Sequence, residues 1–415
     1  MPSETGRAAT GAVIGAGPAG LMAAEAMVRA GLQVTVFDRM PSVGRKFLMA
    51  GRGGLNLTHS ETIDEFLPRF DEASAWLGPA IRQFSPSDVR LWADRYGEET
   101  FVGSSGRVFP RSFKASPLLR AWLRDLSELG VTLETRKLWS GWDDDGALCF
   151  SDGSRIDPDA CVLALGGASW PRLGADGNWV PVLAGKGIEV SPLVASNAGV
   201  NCNWSDVTKT RHAGQPLKRI AVTVAGRTVR GEAMISRSGL EGGAVYAVSR
   251  ELRGALAVAD HCKLRLDLRP DLDVGQLTAR FAKVPRKQSL SNRLRKAAGL
   301  SPQAMSVWRD CVDTPTLQTD EELARSLKDV VVRVTAIQPL DRAISSAGGV
   351  ASGEIDANFM MKKLPGVFVC GEMLDWDAPT GGYLLQACFA TGRAAGEAAA
   401  RYARQMVKHL SEKGD

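Results

Sequence analysis

Ala12-Val13-Ile14-Gly15-Ala16-Gly17-Pro18-Ala19-Gly20, followed by Gln33-Val34-Thr35-Val36-Phe37-Asp38, decides the fold of this chain. An apolar run meets Gly-x-Gly-x-x-Gly, a helix-like stretch Leu21–Ala30 follows, and a second apolar run ends in an acid. The order predicts strand, tight turn, helix and strand. Gly15 permits the sharp turn, Gly17 lets the backbone approach a pyrophosphate, and Gly20 allows close packing of helix on strand. Pro18 and Ala19 belong to the same cofactor-binding turn, and the N-terminus of the helix that follows offers unpaired N–H groups and a positive dipole end to phosphate. Asp38, 18 residues beyond Gly20, stands where a carboxylate accepts from a ribose diol. These features together predict dinucleotide binding, which the glycine pattern alone does not.

The chain has 415 residues, 44% hydrophobic and 23% charged, enough for two or three domains. No apolar run approaches the ~20 residues that cross a bilayer. The N-terminal apolar segment is broken by glycines and lacks a small-residue cleavage site, so it reads as a first strand. A cytoplasmic protein is expected. Seven cysteines (149, 161, 202, 262, 311, 370 and 388) contain no C-x-x-C pair, against a redox disulfide or a structural zinc site. The four histidines make no H-x-x-x-H pattern, and no metal site is expected. Residues 191–329 carry 22 Lys/Arg against 14 Asp/Glu, so the basic excess is confined to the middle of the chain.

That middle region also changes pattern. Ile220–Val224, Arg227–Gly231 and Lys263–Leu268 alternate like antiparallel strands, and 274–328 reads as helices punctuated by prolines. On either side lie segments that suit a nucleotide domain. Residues 61–130 read as mainly helical, with a helix start at Ser85. Val131–Thr135, Ala160–Leu165, Val330–Val334 and Gly366–Cys370 read as strands, and the chain ends in an alanine-rich helix from Leu384 to about Leu410. The simplest architecture is α/β: a discontinuous Rossmann-type domain, 1–190 plus 330–415, interrupted by an inserted basic β/helical substrate domain, 191–329.

Two further segments favour a flavin over a nicotinamide dinucleotide. Cys161–Gly167 is a strand ending in small residues at Gly166 and Gly167, as expected where backbone closes over a dinucleotide. Val367–Asp375 repeats the idea and adds Glu372 and Asp375 after Gly371, carboxylates able to accept from ribityl hydroxyls. Thr380-Gly381-Gly382-Tyr383 then opens the last helix at Leu384, whose N-terminus suits the negative charge of a reduced flavin. No second Gly-x-Gly-x-x-Gly lies between strand and helix. Any NAD(P)H donor is therefore expected to bind transiently at the flavin face.

Gly44-Arg45-Lys46-Phe47-Leu48-Met49-Ala50-Gly51-Arg52-Gly53-Gly54-Leu55-Asn56-Leu57-Thr58 resembles the signature loop of the BaiN/RdsA-like (YhiN-like) flavoproteins. Gly106–Pro110, Lys114–Ser116, Gly166–Pro171 with Gly174, Ala347–Val350 and the Gly371–Gly396 block extend the resemblance along nearly the whole chain. That family includes bile-acid-reducing enzymes and ribosomal RNA dihydrouridine synthases. The resemblance implies FAD, a two-dinucleotide-binding-domain flavoprotein fold, an inserted β-barrel with helices, and hydride transfer from flavin N5 to an activated C=C bond. The cofactor-binding set carried onto this chain adds Arg39, Arg45, Lys46, Asn56 and Leu138 to the residues named above. Gly53-Gly54-Leu55-Asn56 departs from the family's usual Gly-Arg-Cys-Asn, and Ser238–Gly243 departs from its Gly-Leu-Ser-Gly-Pro-like run, which marks a divergent subgroup.

Single residues carry competing readings. Arg45 and Lys46 suit phosphate or the flavin pyrimidine, or simply a solvated basic loop. His59 and Tyr383 are the candidates for catalysis: a proton donor or a hydrogen-bonded structural histidine for one, stacking or core packing for the other. Cys370 and Cys388 read as small core residues, and Trp376 reads as either stacking or core. Arg280, Lys283, Arg286, Lys287, Arg293, Arg295 and Lys296 form a run without an acid, fit to grip RNA phosphates or to be a solvated helix face. The substrate expected is a small molecule or an RNA base. A non-catalytic flavin-binding redox sensor is the third class.

Overall fold

The computed structural model describes residues 7–414. It divides into two compact units, Met1–Val194 with Ser345–Asp415, and Ala195–Ile344. The first is built on a five-stranded parallel sheet in the order Val367–Val369, Ala160–Leu163, Thr10–Ile14, Gln33–Asp38, Thr132–Thr135. Its central strands read as unbroken apolar runs because helices cover both faces of such sheets. Val13 and Val162, paired across adjacent strands, are fully buried.

The helix Pro18–Arg29 follows the first strand with Gly17 at its N-cap and Pro18 at its first position. It packs on the C-terminal helix, Tyr383–Gly414. Glycine permits the contact: a Cβ at Gly392 would fall 2.2 Å from the Ala19 carbonyl oxygen, and one at Gly396 2.4 Å from that of Ala23. A small antiparallel sheet of Thr58–His59, Arg107–Pro110 and Thr100–Val102 lies beside the start of the last helix, where a Cβ at Gly382 would meet the Thr58 backbone at 2.4 Å.

The second unit is a closed six-stranded barrel, in the order Val200–Cys202, Gly239–Glu241, Arg227–Ile235, Pro216–Val224, Cys262–Asp267, Val330–Ile337. Helices accompany it, among them the four from Val274–Ala282 to Asp320–Lys328, with Phe281 and Trp308 fully buried in its core. The sequence reading of Val330–Val334 as part of the nucleotide domain is wrong. Val334 pairs with both Cys202 and Cys262, so this strand closes the barrel. Its run of valines imitates a parallel core strand, yet its burial alternates as in an antiparallel one. The second unit therefore runs to Ile344 rather than 329, and begins at Ala195 rather than 191.

Candidate functional site

The glycine turn stands at the carboxyl ends of the parallel strands, where open α/β sheets bind ligands. Its three glycines have different reasons. Gly15 lies at φ +105° and a Cβ there would strike the Ala164 carbonyl oxygen at 2.3 Å. A Cβ at Gly20 would fall 1.9 Å from the Gly15 carbonyl oxygen. Around Gly17 no protein atom comes within 4 Å of the added Cβ. Space is left open there, beside a helix N-terminus with no side-chain cap, as a pyrophosphate requires.

Asp38 has a role that the spacing did not disclose. Its carboxylate accepts from Ala16 N and Met40 N, both at 2.8 Å, and so pins the glycine turn to the second strand. Each oxygen keeps a lone pair for a diol. Burial pushes the Asp38 carboxyl up, against the lowering effect of those two backbone donors. Arg39 pairs with Asp176 through one Nη1. Leu138 is half-exposed, and the residues just before it tie down the loop after Asp38 through Lys137 N on Asp38 O at 3.0 Å.

Arg45 and Lys46 begin the helix Arg45–Ala50. Arg45 gives one Nη1 contact to Ser42 Oγ at 3.2 Å, and its buried Nε has no partner among the described residues. That orphaned donor suits an anionic ligand. Lys46 behaves otherwise: its Nζ lies 2.7 Å from Glu372 Oε2 and 2.9 Å from Ser169 Oγ. Glu372 also accepts from Ser346 N at 2.9 Å. The two predicted cofactor residues thus hold each other, and they join four distant chain segments with Ser169 and Ser346, which sequence reasoning did not single out. A Cβ at Gly167 would fall 2.4 Å from Ser346 Oγ, so this junction admits only glycine there. Gly166 accepts on its carbonyl from Trp179 Nε1 at 2.8 Å.

Gly371 brings the two ends of the site together. It lies at φ +70°, and a Cβ on it would be 2.7 Å from that of Ala19 in the glycine turn. Thr391 Oγ1 accepts from Gly371 N at 3.0 Å, and Trp376 donates to Gly371 O at 2.8 Å, a core role for this indole. Asp375 is occupied by Ser191, whose hydroxyl donates to Oδ2 at 2.6 Å. Asn56 is occupied as well: Nδ2 donates to Thr58 O at 2.8 Å and Val108 O at 3.1 Å. Gly381 and Gly382, at φ +136° and +97°, form the turn before Tyr383, and Leu384 packs against the core. Gln386, absent from the sequence reading, is fully buried and accepts from Thr58 Oγ1 at 2.7 Å. Cys370 is a fully buried core thiol, and Cys388 is partly buried against the same core, with burial pushing its thiol up to about 12.

Both ring nitrogens of His59 are used. Nδ1 accepts from Glu61 N at 3.2 Å, which leaves the proton on Nε2, 3.0 Å from Ser105 O. Both contacts go to neighbouring backbone groups and hold the ring in place. It stacks on Tyr383 at 5.4 Å between centroids. Tyr383 is 4% exposed, packed on Phe66, and donates to Glu61 Oε2 at 2.8 Å. Burial and the Glu61 acceptor both push its hydroxyl up. Burial pushes Glu61 up too, but Arg69 and Tyr383 outweigh it and the carboxyl lies below its usual range. Glu61 and Arg69 had no signal in the sequence, since neither belongs to a motif.

A family model described as the HI0933-like protein Rossmann domain matches residues 9–398. The chain belongs to the HI0933-like family. Among its curated relatives, a 3-dehydro-bile acid delta(4,6)-reductase of Clostridium scindens is 27% identical over 94% of this chain and 98% of that protein. A ribosomal RNA dihydrouridine synthase of Escherichia coli is 24% identical over 90% of this chain and 94% of that one. Among solved structures, a flavocytochrome c3 fumarate reductase aligns with 97% of this HI0933-like chain and 79% of its own, at 15% identity and TM-score 0.51. The fold is the Rossmann-type flavoprotein fold.

The basic run lies in the second unit, on the helices Val274–Ala282 and Leu290–Ala298 and the loop between them. Arg280, Lys283, Arg286, Lys287, Arg295 and Lys296 are exposed. Arg293 departs from the set: it is largely buried, paired with Asp320, and lies 5.8 Å from the Phe281 ring centroid. No helix among the described residues is long and apolar enough to cross a membrane.

Proposed function

We propose that this chain is an FAD-dependent oxidoreductase that reduces an activated C=C bond of a small molecule. The open space at Gly17 between a glycine turn and a second glycine element at Gly371 carries this reading. A ligand with a pyrophosphate in its middle fits two such turns held side by side. Gly15–Gly20 would cradle the pyrophosphate, Asp38 the ribose, and the Gly371–Tyr383 element the flavin end, with Arg45 Nε free for an anionic oxygen. Bound flavin supplies hydride from N5. The chain's own residues then orient the ring and exclude water, and the helix N-terminus at Tyr383 favours negative charge on the reduced ring. Glu61 holds the Tyr383 hydroxyl in place, while Lys46 keeps a positive charge at the Glu372 junction.

The bile-acid reductase among the relatives supports a small, apolar unsaturated substrate. NAD(P)H binding transiently at the flavin face is the donor in this reading. The test is the visible spectrum of the purified protein before and after anaerobic NADH or NADPH. An oxidised-flavin spectrum that bleaches, and recovers on adding an unsaturated substrate, is expected. A colourless protein that takes up no added FAD overturns the reading.

One observation favours a second substrate, a uridine base in structured RNA. Six exposed cations crowd one helical hairpin, and the dihydrouridine synthase relative acts on ribosomal RNA by name. Structured RNA binding that weakens steeply between two salt concentrations supports this substrate, and binding absent in low salt removes it.

A further inference from the structure

We propose that a cleft on the outer side of the C-terminal helix binds a small molecule through its carboxylate or phosphate group. The cleft measures about 340 Å³ and lies between the helix Ser74–Gln83, the turn at Asn358 and the C-terminal helix. Gln83, Asn358, Arg393 and Arg401 line it and bring N–H donors. Few of those donors are used. Arg393 gives Nε to Glu397 Oε1 at 2.8 Å, and Arg401 gives one Nη2 to Asn358 Oδ1 at 3.4 Å. Arg393 balances Glu397, so Arg401 leaves the cleft with a net positive charge. A guanidinium has five donors in a planar fork that matches an oxyanion. Most of them here remain for a ligand.

The walls are fixed before any ligand arrives. Phe359, which lines the cleft, sits at φ +65°, a left-handed conformation rare for an aromatic residue. The turn is held there by Asp356 Oδ1, which accepts from Asn358 N at 2.8 Å and Met360 N at 2.9 Å. The Phe359 ring meets Trp76 edge-on at 6.4 Å between centroids. Strain of this kind gathers at ligand clamps. On the other wall the Arg393 guanidinium is steadied over the Phe84 ring at 5.1 Å. Pro79 and Ala394 give an apolar floor for the body of the ligand.

The place of the cleft separates it from the flavin site. Arg393 stands ten residues beyond Tyr383, about 15 Å along the helix axis. Arg393, Glu397 and Arg401 recur at every fourth position and share one stripe of the helix, while Gly392 and Gly396 on the adjoining stripe press on Ala19 and Ala23. A ligand in the cleft would thus bear on the helix that clamps the glycine turn.

The test uses the full chain with its flavin, titrated with inorganic phosphate and with citrate, ionic strength being held constant with sodium chloride. Calorimetry reports binding. Saturable binding of at least one anion is expected, with tighter phosphate binding assigning a phosphate ligand and tighter citrate binding a carboxylate. Arg401→Gln and Arg393→Gln should each weaken it about tenfold, the loss of one charge-assisted contact, while the visible spectrum stays that of the parent. No saturable binding of either anion, or equal binding by the double variant, overturns the proposal.

Discussion

Gly371 faces Ala19 so closely that a methyl group on it would lie 2.7 Å from the Ala19 Cβ, which locks the end of one glycine element to the start of the other. Gly17, one residue from Pro18 in the same turn, has no such neighbour within 4 Å. The two glycines therefore fail in different ways. Gly371→Ala adds both a clash and a residue at φ +70°, which costs about 1–2 kcal/mol from the backbone alone. Its melting temperature should fall by several degrees. Gly17→Ala should melt like the parent yet bind FAD about tenfold more weakly, because its methyl fills the pyrophosphate space. A Gly17→Ala protein that binds FAD as tightly as the parent would contradict the cradle.

Asp38 gives a pH dependence. Its folded pKa is raised above the ordinary 3.8, so folding favours the protonated carboxyl and its stabilising share is lost as pH rises through the folded value. Cofactor binding runs the other way, since a diol is best held by the ionised form. FAD affinity should fall as pH drops through the raised Asp38 value, measured by flavin fluorescence quenching. Asp38→Asn should bind more weakly at neutral pH and lose that dependence.

Lys46 and Glu372 form a partly buried pair whose other contacts, Ser169 and Ser346, come from remote segments. A double-mutant cycle with Lys46→Met and Glu372→Gln should give a coupling of about 1–2 kcal/mol in denaturant unfolding. Each single variant should also retain less flavin on purification, read as the ratio of visible to ultraviolet absorbance. Independent, additive effects would mean that the pair does not organise the site.

Glu25 is a structural charge in the same unit. It is 4% exposed and accepts from Trp122 Nε1 at 2.8 Å, Trp92 Nε1 at 3.3 Å and Arg29 Nε at 3.0 Å, with Arg95 as a further partner. Glu25→Ala leaves two indole N–H groups and two guanidiniums short of an acceptor. A loss of about 3 kcal/mol in unfolding free energy is expected, within the range for breaking a buried pair. The flavin spectrum of the folded variant should be unchanged.

The basic hairpin separates binding from stability. Lys283→Glu with Arg286→Glu and Lys287→Glu should leave the melting temperature near that of the parent and flatten any salt dependence of RNA binding. Arg293→Ala removes the partner of Asp320 and should instead lower the stability of the barrel unit.

The glycine turn, its strands and its helix were legible because local chemistry fixes them: only glycine adopts φ +105° at Gly15, and only small residues let the backbone approach so closely. The second glycine element at Gly371 and the alanine-rich last helix were legible for the same reason. The strand Val330–Ile337 was misassigned because a valine-rich run suits either sheet, and its partners Cys202 and Cys262 are 132 and 72 residues away from Val334. The candidate side chains were harder still. Sequence could nominate Lys46, Glu372, Asp375, Asn56 and His59 by position and residue type. Only the tertiary structure decided which were spent on one another or on backbone, because a hydrogen bond depends on distances that no motif encodes. The sequence by itself determined a Rossmann-type fold and its glycine turn. Tertiary structure decided how its charges are shared: Lys46 with Glu372, Asp38 with the turn, and Arg45 Nε with no partner among the described residues.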